Sequence, residues 1–270
     1  MASLKFSGIF ASLATPFDHE GNLYAAKVRH NVGKWNQVNL AGYVVGAAAG
    51  EGAYLTADEK VELWSLAAES TAPGRLLIAG CSAESVRETV SLANKAAAAG
   101  YSAVLVEAPR HYRNVVTDDS FFPAVADGSR IPVLAATAGS VSHPNIAAVA
   151  GGSAAIQGST KPVLCGAEES LWDSLRAGAS GAVLGFASAA PYACILIWEA
   201  FRTREEEAGR DWQNRIRPAA ELVTSKYGIP GLKHAMDLNG YHGGPCRLPL
   251  RPLAPGAKRE IAAAFENLRG

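Results

Sequence analysis

Charge is scarce in this chain and evenly balanced. Asp, Glu, Lys and Arg make up 19% of its 270 residues, with 25 basic side chains against 25 acidic ones. No run of more than two Lys or Arg occurs, so the electrostatic footprint of a nucleic-acid binder is missing. Cysteine is also sparse. Cys81, Cys165, Cys194 and Cys246 stand far apart with no CxxC pair, which excludes a zinc ribbon or a thioredoxin-like motif. A disulfide framework does not suit so long a chain, and all four read as reduced thiols in or near the core. No HxH or HExxH spacing offers a metal site, and neither metal nor cofactor is expected. The first helix is not opened by GxGxxG, which removes the best signal for a dinucleotide-binding sheet. The opening MASLKFSGIF lacks the apolar run of a signal peptide. Ala177–Trp198 carries no charge over the length of a membrane span, yet Gly181, Gly185, Ser188 and Pro191 interrupt it as a strand, a turn and a helix start would. A cytoplasmic protein with no membrane or nucleic-acid partner is the expectation.

What the chain does have is a large apolar fraction, 49%, arranged in an alternation. Short β-rich runs at Ile9–Phe17, Ala41–Gly46, Arg75–Gly80, Ser102–Val106, Ile131–Ala136, Pro162–Cys165 and Gly181–Phe186 are separated by helical patterns. Helices are expected around Ala25–Gln37, Thr56–Ser70, Ser85–Ala98, Asp119–Ala126 and Glu168–Ala177. Thr56 with Glu59 three residues on forms a capping box. From Pro191 onward the pattern is helical. Such repeated βα units predict an α/β fold, a (β/α)8 TIM barrel over residues 1–204, followed by a C-terminal helical domain over 205–270.

The barrel reads as short in one place. The step from Ser102 to Ile131 is one unit of about 30 residues, whereas Ile131 to Pro162 should hold two units and is scarcely longer. A helix, or one whole β/α unit, is therefore expected to be absent between residues 138 and 162. Ile131 through Thr160 also contains no Lys, Arg, Asp or Glu. Barrel sites lie at the C-terminal ends of strands. Function is therefore sought in Thr15, Gly46–Glu51, Cys81–Ser82, Ala108–Tyr112, Thr137–Ser140, Gly166–Glu169 and Ser188.

Four stretches resemble a known family. TPF (Thr15–Phe17), GAAAGEGAYLTADEK (Gly46–Lys60), VLCGAEESLWDSLRAGASGAVLGFASAAP (Val163–Pro191) and YGIPGLKHAMDLNGYHGGPCRLPLRPL (Tyr227–Leu253) are similar to the dihydrodipicolinate synthase and N-acetylneuraminate lyase group of pyruvate-dependent aldolases. The resemblance runs over nearly the whole chain. It implies a lyase in which a lysine on strand six forms a Schiff base with pyruvate. Two hydroxyl residues in a GTTGE loop hold the carboxylate, and two tyrosines complete a proton relay. It also implies a homo-oligomer, dimer or tetramer, or a hetero-oligomer with an active relative.

The residues that this chemistry needs are not here. Ala48 and Ala49, followed by Gly50, stand where the two hydroxyls belong and keep only backbone donors. Pro109-Arg110-His111 replaces a Pro-Tyr-Tyr motif, Ala136 replaces the strand-five tyrosine, and the arginine that follows falls near Val141. Two alignments compete for the lysine. AAIQGST (Ala154–Thr160) mimics the family's strand six and puts Gln157 there, but it leaves too few residues before Pro162 for a crossover. NIAAVA (Asn145–Ala150) puts Ala150 there instead. Lys161 precedes a strand and so belongs to the opposite, bottom face.

Glu51, Glu168 and Glu169 read as structural acids. Two functions follow. One is a non-catalytic or binding homologue. The other is a lysine-independent lyase or hydratase acting on a small carboxylate or 2-oxo acid, held by Ala48, Ala49, Gly50 and Arg110 with His111 as acid/base. A buried pocket lined by Arg110 and His111 would favour the enzyme, and a collapsed alanine-filled mouth the scaffold.

Overall fold

The computed structural model describes residues 4–111 and 114–268. Eight parallel strands close a barrel in chain order: β1 (Gly8–Leu13), β2 (Gly42–Val45), β3 (Leu76–Gly80), β4 (Ala103–Glu107), β5 (Val133–Ala136), β6 (Ile146–Gly151), β7 (Val163–Cys165) and β8 (Gly181–Leu184). Helices α1 (Ala25–Trp35), α2 (Ala57–Ser70), α3 (Val86–Ala98), α4 (Asp118–Gly128), α5 (Ser153–Gly158), α6 (Leu171–Arg176) and α7 (Pro191–Thr203) lie between or after them. Alternation along the strands divides the core in two. Phe10, Val44, Ile78, Leu105, Leu134, Leu164 and Val183 fill the barrel interior, while the opposite faces pack beneath the helices. The expected capping box of α2 is present in full: Thr56 Oγ1 accepts from Glu59 N at 3.2 Å and Glu59 Oε2 from Thr56 N at 2.8 Å.

No strand is missing, and the shortening takes a helix rather than a whole unit. Residues 137–145 carry β5 directly into β6 with no helix between them. Polar side chains tie this link down. Asn145 Nδ2 donates to the carbonyls of Ala126 and Ser129, both at 2.9 Å, and Asn145 N donates to His143 Nδ1 at 3.1 Å. His143 Nε2 meets Asp127 Oδ1 at 2.9 Å, and Thr137 Oγ1 donates to Asp118 at the start of α4. Val141 is buried in the outer core layer, where apolar cover is needed in the absence of a helix. The AAIQGST segment is not strand six: most of it forms α5, so the strand alignment that selected Gln157 is corrected.

The C-terminal segment comprises α8 (Glu206–Glu221), α9 (Gly228–Leu238) and α10 (Pro255–Ala264). A wide π-helical turn over Leu222–Lys226 separates α8 from α9. Val223, Thr224, Gly228, Ile229 and Leu232 thereby reach the C-terminal mouth of the barrel. Among the described residues no helix is long and apolar enough to cross a membrane. The Gly181–Trp198 stretch is β8, a 3-10 turn and the start of α7.

Candidate functional site

The mouth of the barrel is open. A cavity of about 640 Å³ lies at the C-terminal strand ends, and small residues create it. Inward positions near the tops of β5 and β6, and just beyond β7 and β8, are Ala136, Ala150, Gly166 and Gly185, so little side-chain volume fills the upper barrel. Ala136 and Ala150 are direct neighbours in register, and Glu107 is the partner of Ala136 on the other side. Ala48 and Ala49 form one wall, in a 3-10 turn after β2.

The structure separates residues that the sequence reading grouped together. Ala150 lines the cavity, whereas Gln157 is exposed on α5. Gly50 is not on the cavity wall. Its N–H donates to Ala47 O at 3.0 Å, its carbonyl accepts from Thr15 Oγ1 at 2.6 Å, and a side chain there would press on Leu13 O, so it shapes the turn and has no donor to spare. Neither Arg110 nor His111 is on the wall of this cavity, although Arg110 pairs with Glu107, which is. The Arg110 guanidinium pairs with Glu107 at 3.2 Å and is largely exposed. His111 has a side chain 77% exposed, with Nδ1 3.1 Å from Glu84. Glu84 accepts the backbone N–H groups of both residues and so pins the loop after β4. Tyr112 lies outside the described residues. Among the described residues no cluster of His, Cys, Asp or Glu could hold a metal ion.

The ionisable groups that do line the cavity are Glu107 and Glu168. Period-two alternation in AVLVE puts Glu107 on the face of Ala103 and Leu105, a signal the sequence reading passed over because it began at Ala108. Glu168 is 6% exposed, and Oε1 accepts from Phe186 N at 3.1 Å. Gln213 of α8 clamps its peptide, donating to Glu168 O at 3.0 Å and accepting from Trp172 N at 2.8 Å. Burial, the main cause, pushes the Glu168 carboxyl above the usual range, against the Phe186 N–H that lowers it. No sequence rule could supply that, since two acids opening a helix look like dipole partners.

A carboxyl held above its unfolded value favours the protonated protein. Its stability contribution is complete below about pH 4.5, the value of free Glu, and is lost as pH rises through the folded value. Glu168→Gln keeps an acceptor for Phe186 N–H and removes the titration. In urea melts, wild type is expected to lose stability relative to the variant as pH rises from about 4.5 toward neutrality. An identical gap at both ends of that range would contradict the burial argument.

Glu51 plays the structural part read for it, in a more demanding form. It sits at φ 56°, in the left-handed region that a Glu rarely occupies. Its buried carboxylate is 2.5 Å from Lys233 Nζ and accepts from Arg247 N at 2.9 Å. Lys233 Nζ donates to Pro245 O at 2.8 Å and lies 4.5 Å from the Phe17 ring. Burial lowers the Lys233 pKa, and the Glu51 carboxylate opposes that shift. The clamp holds the segment after α9 onto the loop after β2. Lys161 lies just before β7, at the strand's entry end. All four cysteines are free thiols, three of them buried.

An eight-stranded parallel barrel with its cavity at the C-terminal strand ends, walled by helices that follow β8, defines the class of TIM-barrel proteins with a mouth site. The profile of the Dihydrodipicolinate synthetase family matches residues 5–143 and 153–268, and the chain belongs to that family. The two matched stretches are separated by 144–152, the segment that carries Ala150. The chain is 30% identical to the 4-hydroxy-tetrahydrodipicolinate synthase of Nitrobacter hamburgensis, over 97% of its own length and 96% of the relative's. It is 27% identical to the L-threo-3-deoxy-hexylosonate aldolase of Hypocrea jecorina, over 97% and 95%. A dihydrodipicolinate synthase structure from Bacillus anthracis superposes with a TM-score of 0.90 at 21% identity, covering 99% of this chain and 100% of that one.

Proposed function

We propose that this barrel has given up class I aldolase chemistry and acts as a ligand-binding homologue of its lyase family. One observation carries the reading. The described residues lining the mouth cavity include no amine at all, and Ala48, Ala49, Ala136 and Ala150 occupy the wall where the family resemblance calls for two hydroxyls, a tyrosine and a lysine. An imine needs a desolvated lysine within reach of the ligand carbonyl, and the relay groups work only together.

The cavity is not collapsed, so binding remains part of the reading. A small carboxylate or 2-oxo acid would find no cation among the described residues of these walls; the polar groups there include the Ala48–Ala49 backbone, the Ser12 hydroxyl, a Thr224 hydroxyl engaged with Glu169 and Ala220 O, and a Glu168 carboxyl that burial keeps disposed to hold its proton. The lysine-independent reaction using His111 and Arg110 is less supported, because His111 is exposed beside Glu84 and Arg110, on the wall of a neighbouring cavity, is paired with Glu107. Self-association, with a second copy or an active relative, belongs to the proposal by family likeness.

The test is an aldol assay in both directions: condensation of pyruvate with an aldehyde, and cleavage of a 2-oxo-3-deoxy sugar acid. No turnover above the uncatalysed rate is expected where a 4-hydroxy-tetrahydrodipicolinate synthase assayed in parallel is active. Sustained turnover would overturn the proposal.

A further inference from the structure

A second cavity, of about 480 Å³, opens between the loops after β2, β3 and β4. Its wall includes Tyr54, Lys60, Ser82, Glu84, Glu107 and Arg110. Most of the charge there is committed. Glu84 holds the backbone N–H groups of Arg110 and His111, Glu51 pairs with Lys233, and Arg110 meets Glu107 through one guanidinium nitrogen, which leaves its remaining donors for a ligand.

Lys60 is the exception. It lies in the first turns of α2, is 6% exposed, and its side chain makes no hydrogen bond or ion pair among the described residues. Burial lowers its pKa, partly opposed by Cys81 and Glu88. Lys233 shows the ordinary fate of a buried amine, with a carboxylate, a carbonyl and an aromatic face around it. Lys60 has none of these, and it borders an open cavity.

An ammonium short of water and without a counter-charge in contact is the costly form of a lysine, so burial shifts the balance toward the free amine. The free amine carries the lone pair that makes lysine a nucleophile. We propose that Lys60 condenses reversibly with small carbonyl compounds entering this cavity, with those that also carry a carboxylate preferred through Arg110. The Nζ lone pair adds to the carbonyl carbon, forming the C–N bond, and the carbonyl oxygen takes up a proton. The carbinolamine oxygen takes a second proton from solvent and leaves as water, and the remaining N–H proton returns to solvent in its place, leaving a C=N bond. No electrons are gained or lost, and water reverses the step. The site is distinct from the lost position on β6, although Ala47, Ala48, Glu107 and Ile229 border both cavities.

The whole chain is incubated near neutral pH with cyanoborohydride and either glyoxylate, which has an aldehyde and a carboxylate, or propionaldehyde, which has no charge. Peptide mapping then locates the reduced adduct. Label is expected first at Lys60, several-fold faster than at the exposed Lys5 and Lys258. Glyoxylate is expected to outpace propionaldehyde at Lys60, and Arg110→Ala to remove that preference while leaving the labelling. Lys60→Arg, checked for an unchanged circular dichroism spectrum, should lose the fast label alone. Lys60 reacting no faster than the exposed lysines would overturn the proposal, and equal rates for the two aldehydes would overturn its carboxylate preference. The readout is an adduct at one residue, so it succeeds or fails independently of the aldol assay.

Discussion

Ala150→Lys is expected to acquire a borohydride-trapped pyruvate adduct at residue 150, whereas the wild-type peptide spanning β6 takes none. Ala150 lines a cavity of about 640 Å³, so a longer side chain has room to extend into it. Around it stand Leu105, Ala136 and Val183, which offer no solvation to an ammonium. Desolvation therefore favours the free amine, while Glu107 and Glu168 pull the other way. Turnover is not expected to follow. On the function proposed above, Ala48, Ala49 and Ala136 would still stand in place of the hydroxyls and the tyrosine that the family resemblance implies, and groups that act as a unit are not restored one at a time. Intact mass and peptide mapping after borohydride treatment read the result directly. A folded variant that takes no adduct at residue 150 would mean that β6 does not present this side chain to the ligand space.

The largest stability loss is expected from Lys233→Met. The Lys233 and Glu51 side chains are 1% and 0% exposed and stand 2.5 Å apart. Methionine is similar in length to the lysine stem, so little packing is lost, but Glu51 is left buried without its counter-charge. Breaking a buried pair from one side costs about 3–5 kcal/mol, because the surviving charge keeps its desolvation penalty. Glu51→Gln added to Lys233→Met removes that charge and is expected to recover most of the loss. The damage should be local as well as global, since Lys233 also holds Pro245 O while Glu51 holds Arg247 N. Arg247 in turn donates to Gly21 O and Tyr54 O and pairs with Glu59, whose carboxyl is lowered to about 2 chiefly by that guanidinium. Urea melts, with hydrogen exchange over residues 239–254, would check both parts. A loss below about 1 kcal/mol, or a double variant no better than the single one, would remove the pair from its structural role.

Much of the fold was legible because it rests on local rules. Alternating β-rich runs and helical patterns, a capping box at Thr56, and the absence of a dinucleotide motif were enough for a closed barrel. The missing length between Ile131 and Pro162 was equally visible, since a chain cannot hide a helix it does not have. What filled the gap was not visible. The likeness of AAIQGST to a strand competed with crossover geometry, and the competition was decided by Asn145, His143 and Thr137 holding a helix-free link against α4.

By itself the sequence determined the repeated βα organisation and the absence of Lys, Arg, Asp and Glu from Ile131 through Thr160, because both follow from which residues are present and in what order. Only the tertiary structure decided which groups face the ligand space. Glu107 and Glu168 come to one cavity from β4 and from the turn after β7, while His111 turns out toward Glu84 and solvent and Arg110 joins the wall of the neighbouring cavity beside Glu107. Lys60 and Lys233 are both buried amines on helices, one with no side-chain partner among the described residues and beside a cavity, the other locked to Glu51. Burial and partnership depend on contacts between residues remote in the chain, and these set a group's protonation and reactivity more than its identity does.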